Sequence, residues 1–174
     1  ASIAPKQILQ QTPISKFDAI LTRDATAGSL RPTLYDFLCH RAINLFVRGN
    51  SSKVQSLLGS AFLLADAETF LKSTITVVPQ NTPSSILKIY QELLAFHQQS
   101  ANKDAFLVAN LERLKYARQI STNPRKDSLY LLTLRNMQKQ YAANPMVIEI
   151  MADEAEFLIR NYPGLSQQER QNTR

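Results

Sequence analysis

The sequence predicts an all-α fold: antiparallel helix hairpins stacked as a tetratricopeptide-like α-α superhelix, with a helical bundle as the alternative. Three observations predict it. Apolar residues recur at i, i+3 and i+4 along most of the chain, the spacing that lines one face of a helix. Glycine is scarce, four in 174 residues, and the eight prolines fall mostly between the periodic segments, where they start or stop helices. The one β-branched run, in "TITVVPQNTP" from Thr74 to Pro83, has no second run to pair with, and a lone strand is not stable. A chain of this length buries a core without staples. Its single cysteine, Cys39, cannot form an internal disulfide.

One helical domain, 1–174, is expected. The lead-in, 1–28, carries a short helical pattern from about Ile14 to Thr22, followed by a loop, "ATAGSLR", Ala25 to Arg31. In 29–82 a helix opens after Arg31, since Pro32 supplies a φ suited to a first turn. Leu34, Leu38, Ala42 and Leu45 centre its apolar face, and Gly49 and Asn50 stop it. Cys39 falls at the edge of that face near Ile43 and Phe46, while Asp36, His40 and Asn44 share the polar side. Two shorter patterns follow, Val54 to Leu58 and "LLADAETFLKS". Thr74 to Pro83 is expected to be an extended linker crossing the helical core.

The region 83–163 is the most regular. Thr82 is placed to cap a helix whose first turn is Pro83, Ser84 and Ser85, with Ile86, Ile89, Tyr90, Leu93, Leu94 and Phe96 on its apolar face. Three more helical segments follow, "AFLVANLERLKYARQI", "SLYLLTLRNMQKQYA" and "MVIEIMADEAEFLIRNY". The connections are short, so consecutive helices should pack antiparallel. A helix every ~20 residues makes a two-helix unit close to a tetratricopeptide repeat, with "YAANP" and "NYPG" as punctuation. The tail, 164–174, is polar.

There are 20 Lys and Arg against 14 Asp and Glu, a formal charge of +6. The basic residues are dispersed rather than clustered, which argues against nucleic acid. Arg113, Lys115, Arg118 and Arg135 are the candidate exposed interaction surface, suited to an acidic partner. No apolar run approaches the ~18 residues of a membrane-spanning helix. The chain starts at Ala1 without methionine or a leader-like segment, as expected of a processed product or a fragment of a larger chain.

No catalytic, metal or cofactor-binding residue is assigned. Cys39 and His40 are adjacent on a helix and cannot form a thiol–imidazole dyad. His97 is the only other histidine, and Cys39 is expected to be a buried structural thiol. Two histidines so far apart in sequence, with no second cysteine, lack metal-ligand spacing. Glu149, Asp153 and Glu156 share a face with Arg160 and read as a solvated, ion-paired stripe. Glycine-rich phosphate loops are absent. Tyr90, Phe96, Tyr116, Tyr130 and Tyr141 sit at apolar-face spacing and are expected in the core, not as base-stacking platforms.

Two stretches carry a resemblance. "SLRPTLYDFLCHRAINLF" resembles a segment near the start of large bacterial alpha-2-macroglobulin-like proteins. "ILKIYQELLAFHQQSANKDAFLVANLERLKYARQ", with "KDSLYLLTLRNMQKQYAANP", resembles the helical region that follows there. The resemblance runs from Ser29 to Pro163. It implies an N-terminal helical portion of a larger periplasmic or cell-surface protein, ahead of its β-sandwich domains, in a family of envelope protease-inhibitor and defence proteins. The family's trapping thioester uses Cys-x-Glu-Gln; here Cys39 is followed by His40, Arg41 and Ala42, so that motif is absent. The implied role is a non-enzymatic scaffold or interaction domain that contacts neighbouring domains of the same chain or another protein. The rival is a self-contained helical binding protein that takes an acidic ligand or nucleic acid on Arg113, Lys115, Arg118 and Arg135.

Overall fold

The structure, a computed structural model, describes residues 5–21, 27–48, 58–78 and 81–161. Among these the elements are α1 (Pro5–Gln11), a 3-10 turn (Ile14–Phe17), α2 (Ala27–Leu30), α3 (Leu34–Arg48), a second 3-10 turn (Ala61–Leu64), α4 (Ala67–Lys72), α5 (Thr82–Gln99), α6 (Lys103–Ile120), α7 (Lys126–Gln140) and α8 (Val147–Asn161). No strand forms among the described residues. The only β pairing there is an isolated antiparallel bridge between Pro13 and Thr33. The fold is all-α, and it fits a helical bundle.

That bridge explains the first departure from expectation. Of the pattern from Ile14 to Thr22, Thr22 lies outside the described residues and 14–21 yield only the 3-10 turn, while a helix lies upstream as α1. Pro13 has no N–H to donate, and the amide of Ile14 donates to Pro32 O (2.9 Å) while that of Leu34 donates to Thr12 O (2.8 Å). The backbone at 12–14 is therefore committed to α3. Within Ala25 to Arg31, residues 27–30 form one helical turn and 25–26 lie outside the described residues. Of the Val54 to Leu58 pattern, 54–57 also lie outside them. Residues 74–78 form no regular element, as expected of a linker, and Ile75 is buried beneath it.

Caps set the later boundaries. Asn81, not Thr82, is the N-cap of α5, its Oδ1 accepting from Ser84 N at 2.8 Å; asparagine is the stronger cap, and the helix takes it. Asn102 Oδ1 accepts from Ala105 N (3.0 Å) at α6, and Asp66 Oδ1 from Thr69 N (2.9 Å) at α4. The hairpin α5–α6 is the centre of the molecule. Ile86, Leu87, Leu93 and Leu94 of α5 and Leu107 and Leu114 of α6 are fully buried, joined by Leu63, Leu64, Phe70, Leu134 and Ile150. Burying each such side chain contributes about 1.5–3 kcal/mol. Around this centre α3 packs on α1 and α5, the 61–64 turn packs on α6 and α7, and α8 packs on α7. Helices α3 and α8 thus lie on different sides of the α5–α6 centre, α3 between α1 and α5 and α8 against α7. Tyr90 and Tyr130 are core residues, and Phe96, Tyr116 and Tyr141 pack partly buried against it.

On α3 the expected orientation is reversed. Leu38 and Leu45, placed at the centre of the inward face, are 42% and 60% exposed; the buried residues are Tyr35, Asp36, His40 and Ile43. Apolar periodicity identifies a stripe but not which side of the helix it faces when a second stripe competes. Here the second stripe wins, because Asp36 and His40 find partners on α5 and α6 that offset their desolvation.

Candidate functional site

The polar residues of α3 build a seam. Thr33 and Asp36 form a reciprocal cap: Asp36 N donates to Thr33 Oγ1 (3.2 Å), and Asp36 Oδ2 accepts from Thr33 N (3.0 Å) and Thr33 Oγ1 (2.7 Å). The other carboxylate oxygen, Oδ1, accepts from His97 Nε2 at 2.7 Å. Asp36 is wholly inaccessible. Burial pushes its pKa up, but the hydrogen bonds from His97 and Thr33 outweigh burial and hold the carboxyl below its ordinary value. An ionised carboxylate only accepts, so Nε2 of His97 donates to it, while Nδ1 is buried without a partner among the described residues.

One turn on, His40 Nδ1 lies 3.2 Å from Glu112 Oε2, and Arg31 Nη2 lies 2.8 Å from Glu112 Oε1. Burial raises the pKa of Glu112, yet His40 and Arg31 hold it below the ordinary value. Tyr35 OH donates to Glu92 Oε2 (3.4 Å), which also takes Lys6 Nζ of α1 (2.8 Å). Burial pushes the Cys39 thiol up to about 11, leaving a neutral thiol at pH 7 where a nucleophile requires thiolate. Asp36, His97 and Thr33 share the residue types of a hydrolytic triad, but the hydroxyl bonds the carboxylate instead of the imidazole. The seam joins α1, α3, α5 and α6 through these side chains.

A cleft of about 350 Å³ opens where α6, α7 and α8 meet, lined by Lys115, Arg118, Tyr130, Asp153, Phe157 and Arg160 among others. The Arg118 guanidinium lies 4.3 Å from the centroid of Phe157 and 5.6 Å from that of Tyr130, cation–π distances. Its Nε donates to Asp127 Oδ1 at 2.8 Å. Lys115 Nζ meets Asp153 Oδ1 at 2.7 Å, and Tyr130 OH donates to Asp153 Oδ2. Asp153 therefore does not belong to a solvated stripe. It is buried, whereas Glu156 and Arg160 form the exposed i, i+4 pair expected of them.

The four basic residues do not make one surface. Positions 115 and 118 share a side of α6 and line the cleft together; 113 projects from the opposite side. Arg113 is 0% exposed. Its Nη1 donates to Leu63 O (2.8 Å), its Nη2 to Ala65 O (2.8 Å), and its Nε to Asn110 Oδ1 (3.0 Å), with the guanidinium 4.4 Å from the Phe70 centroid. Arg135 lies elsewhere, its Nε on Glu154 Oε1 at 2.8 Å between α7 and α8. Lys115, Arg118 and Arg135 each already hold a carboxylate.

Sequence reasoning missed the outer faces of the two end helices. On α8, Ile148 is 66% exposed and Ile159 54%, with Met151, Ala152 and Ala155 also exposed between them. On α3 the exposed apolar residues are Leu38, Leu45, Phe46 and Val47, with Leu34 and Ala42 half-buried in line with Leu38 and Leu45. The signal was present in α8: Ile150, Phe157 and Leu158 make one apolar stripe, and Ile148, Ala152, Ala155 and Ile159 a second on the other side. Among the described residues no group of three His, Cys, Asp or Glu side chains could hold a metal ion, and no helix is long and apolar enough to cross a membrane. No protein-family model matches the chain, and no curated protein or solved structure is significantly similar to it.

Proposed function

We propose that the chain is a non-enzymatic helical scaffold that docks other protein domains against the outward faces of α3 and α8. One observation carries the reading: α3 and α8, both peripheral to the α5–α6 centre, expose large apolar residues, Leu38, Leu45 and Phe46 on one and Ile148, Met151 and Ile159 on the other. A finished helical stack ends on polar caps. An exposed apolar patch of this kind marks a contact surface. The resemblance of 29–163 to the N-terminal helical region of alpha-2-macroglobulin-like envelope proteins adds a context, in which the partners are neighbouring domains of a periplasmic or cell-surface protein. The rival acidic-ligand or nucleic-acid reading has less to stand on, because Arg113 is buried and Lys115, Arg118 and Arg135 are engaged by Asp153, Asp127 and Glu154.

Met151 supplies the test, since it lies on the α8 stripe and is about half exposed. Its oxidation by peroxide is measured by mass spectrometry on the dilute isolated chain and on the protein in the cells that make it. Docking protects Met151 in cells while it oxidises quickly in the isolated chain. Equal rates in both settings sink the reading.

A further inference from the structure

We infer that the chain associates head to tail with a second copy of itself, the outward face of α3 on one copy seating against the outward face of α8 on the next. This rests on the docking reading above and names the occupant. The two stripes match in length. Leu34, Leu38, Ala42 and Leu45 span twelve residues, as do Ile148, Ala152, Ala155 and Ile159, each about 16 Å of helix from first to last Cα. They also match in relief. The α8 stripe is small at its centre, at Ala152 and Ala155, and large at its ends, so the exposed Leu38 of α3 can seat in the shallow stretch between the two isoleucines.

Charge selects the pairing. Exposed Arg41 and Arg48 flank the α3 stripe, and exposed Glu149 and Glu156 flank the α8 stripe, each pair seven residues or two turns apart. Arg41, Arg48 and Glu149 have no ion-pair partner among the described residues, and Glu156 holds only the exposed Arg160. Two α3 faces brought together would set arginine against arginine, and two α8 faces glutamate against glutamate. The opposite-sign arrangement is face α3 on face α8, a heterologous contact. Because the two faces belong to helices that do not pack on each other, α3 against α1 and α5 and α8 against α7, one copy can use both, and the contact propagates instead of closing as a two-fold dimer.

One helix face per side is smaller than a standard interface, so the association is weak and shows between about 10 μM and about 1 mM. The experiment is sedimentation velocity over that range on the whole chain, on Leu45→Asp, on Ile148→Asp, and on the two variants mixed. The wild type should grow with concentration past the dimer, and less so in high salt. Each variant alone should be monomeric, having lost one of the two faces. Their equimolar mixture should form a 1:1 dimer and stop, because one intact α3 face then meets one intact α8 face. A wild type monomeric to about 1 mM overturns the inference, as does a variant that self-associates alone or a mixture that stays monomeric.

Both substituted residues face solvent, and circular dichroism checks that the variants fold. Should either fail, Arg41→Glu and Glu149→Lys take their places: each alone weakens association, and one chain carrying both recovers it. A monomeric wild type whose Met151 is nevertheless protected in cells removes the second copy as occupant and leaves the docking reading intact. An unprotected Met151 removes the docking reading itself.

Discussion

Arg113 takes a cation into the core, and the oxygens that receive its hydrogen bonds, Leu63 O, Ala65 O and Asn110 Oδ1, are all uncharged. Burial pushes its pKa down, with Asp66 acting in the other direction. What the guanidinium provides is a planar fork that joins the 61–65 segment to α6. Arg113→Met keeps much of the volume and the contact with Phe70 but strands two carbonyls and an amide oxygen. At about 1–3 kcal/mol for each buried group left unsatisfied, the loss should reach about 3 kcal/mol or more, read as a lower urea midpoint with an unchanged slope. A loss below about 0.5 kcal/mol, the range of ordinary surface substitutions, would contradict this account. Asp36 is a second such residue. In Asp36→Asn an amide NH₂ must face either the Thr33 donors or His97 Nε2. If it faces His97, the ring must accept at Nε2 and carry its proton on Nδ1, which has no partner. The variant should lose about 1–3 kcal/mol at pH 7, and NMR of the imidazole nitrogens should show the proton moved to Nδ1 or the hydrogen bond lost.

At the scale of the element, helix ends in this molecule are made by single side chains. Gln91 of α5 is buried, and its Nε2 reaches Phe70 O (3.1 Å), Leu71 O (3.3 Å) and Ser73 O (2.8 Å), carbonyls at the C-terminus of α4, of which Phe70 O also accepts from Ser73 N and Oγ. Gln91→Leu should cost about 1–2 kcal/mol. Amide exchange should quicken in 67–73 more than in α6 or α7; a uniform increase would mean that Gln91 acts through general packing. The four long C-terminal helices were legible because "ILKIYQELLAFH" and its successors combine 3.6-residue periodicity with Asn, Ser and Pro at the breaks. The cap falls one position before Thr82, since Asn81 and Thr82 are both competent caps and asparagine is the stronger of the two. The segment from Ile14 to Thr22 was misread because its backbone bonds go to a distant partner, Pro32, and no local pattern reports that. On α3, Leu34, Leu38, Ala42 and Leu45 were correctly seen as a stripe and given the wrong side. The residues that decide the side, His97 and Glu112, lie 61 and 76 positions after Asp36. Arg113 was placed at the surface because arginine usually is, and nothing in its neighbours announces that two carbonyls 48 and 50 residues earlier need a donor.

For the molecule as a whole, the two kinds of contact are divided unevenly. Helices α5, α6 and α7 and the 61–64 turn are joined by fully buried Leu and Ile side chains. Helix α3, and α1 through it, is held to that centre to a larger degree by the carboxylates Asp36, Glu112 and Glu92. The pKa values of Asp36 and Glu112 are lowered in the folded state, so their contribution is fully present above the unfolded values, near 4, and is lost as pH falls through the folded ones. Apolar burial has no such dependence. Acid should therefore loosen the molecule from the α3 end: below about pH 4, exchange protection should fall in 34–48 and 5–11 before it falls in α5 and α6. Pulsed hydrogen exchange with mass spectrometry across a pH series measures the order, and Asp36→Asn should remove part of the pH dependence along with part of the stability. Loss of protection in all helices at one pH would place the acid-sensitive contacts in the core instead. The same order bears on assembly, since α3 carries one of the two outward faces. If acid releases α3 first, the growth of the wild-type chain in the ultracentrifuge should disappear at a higher pH than the loss of its helical circular dichroism, and coincident transitions would separate assembly from the α3 seam.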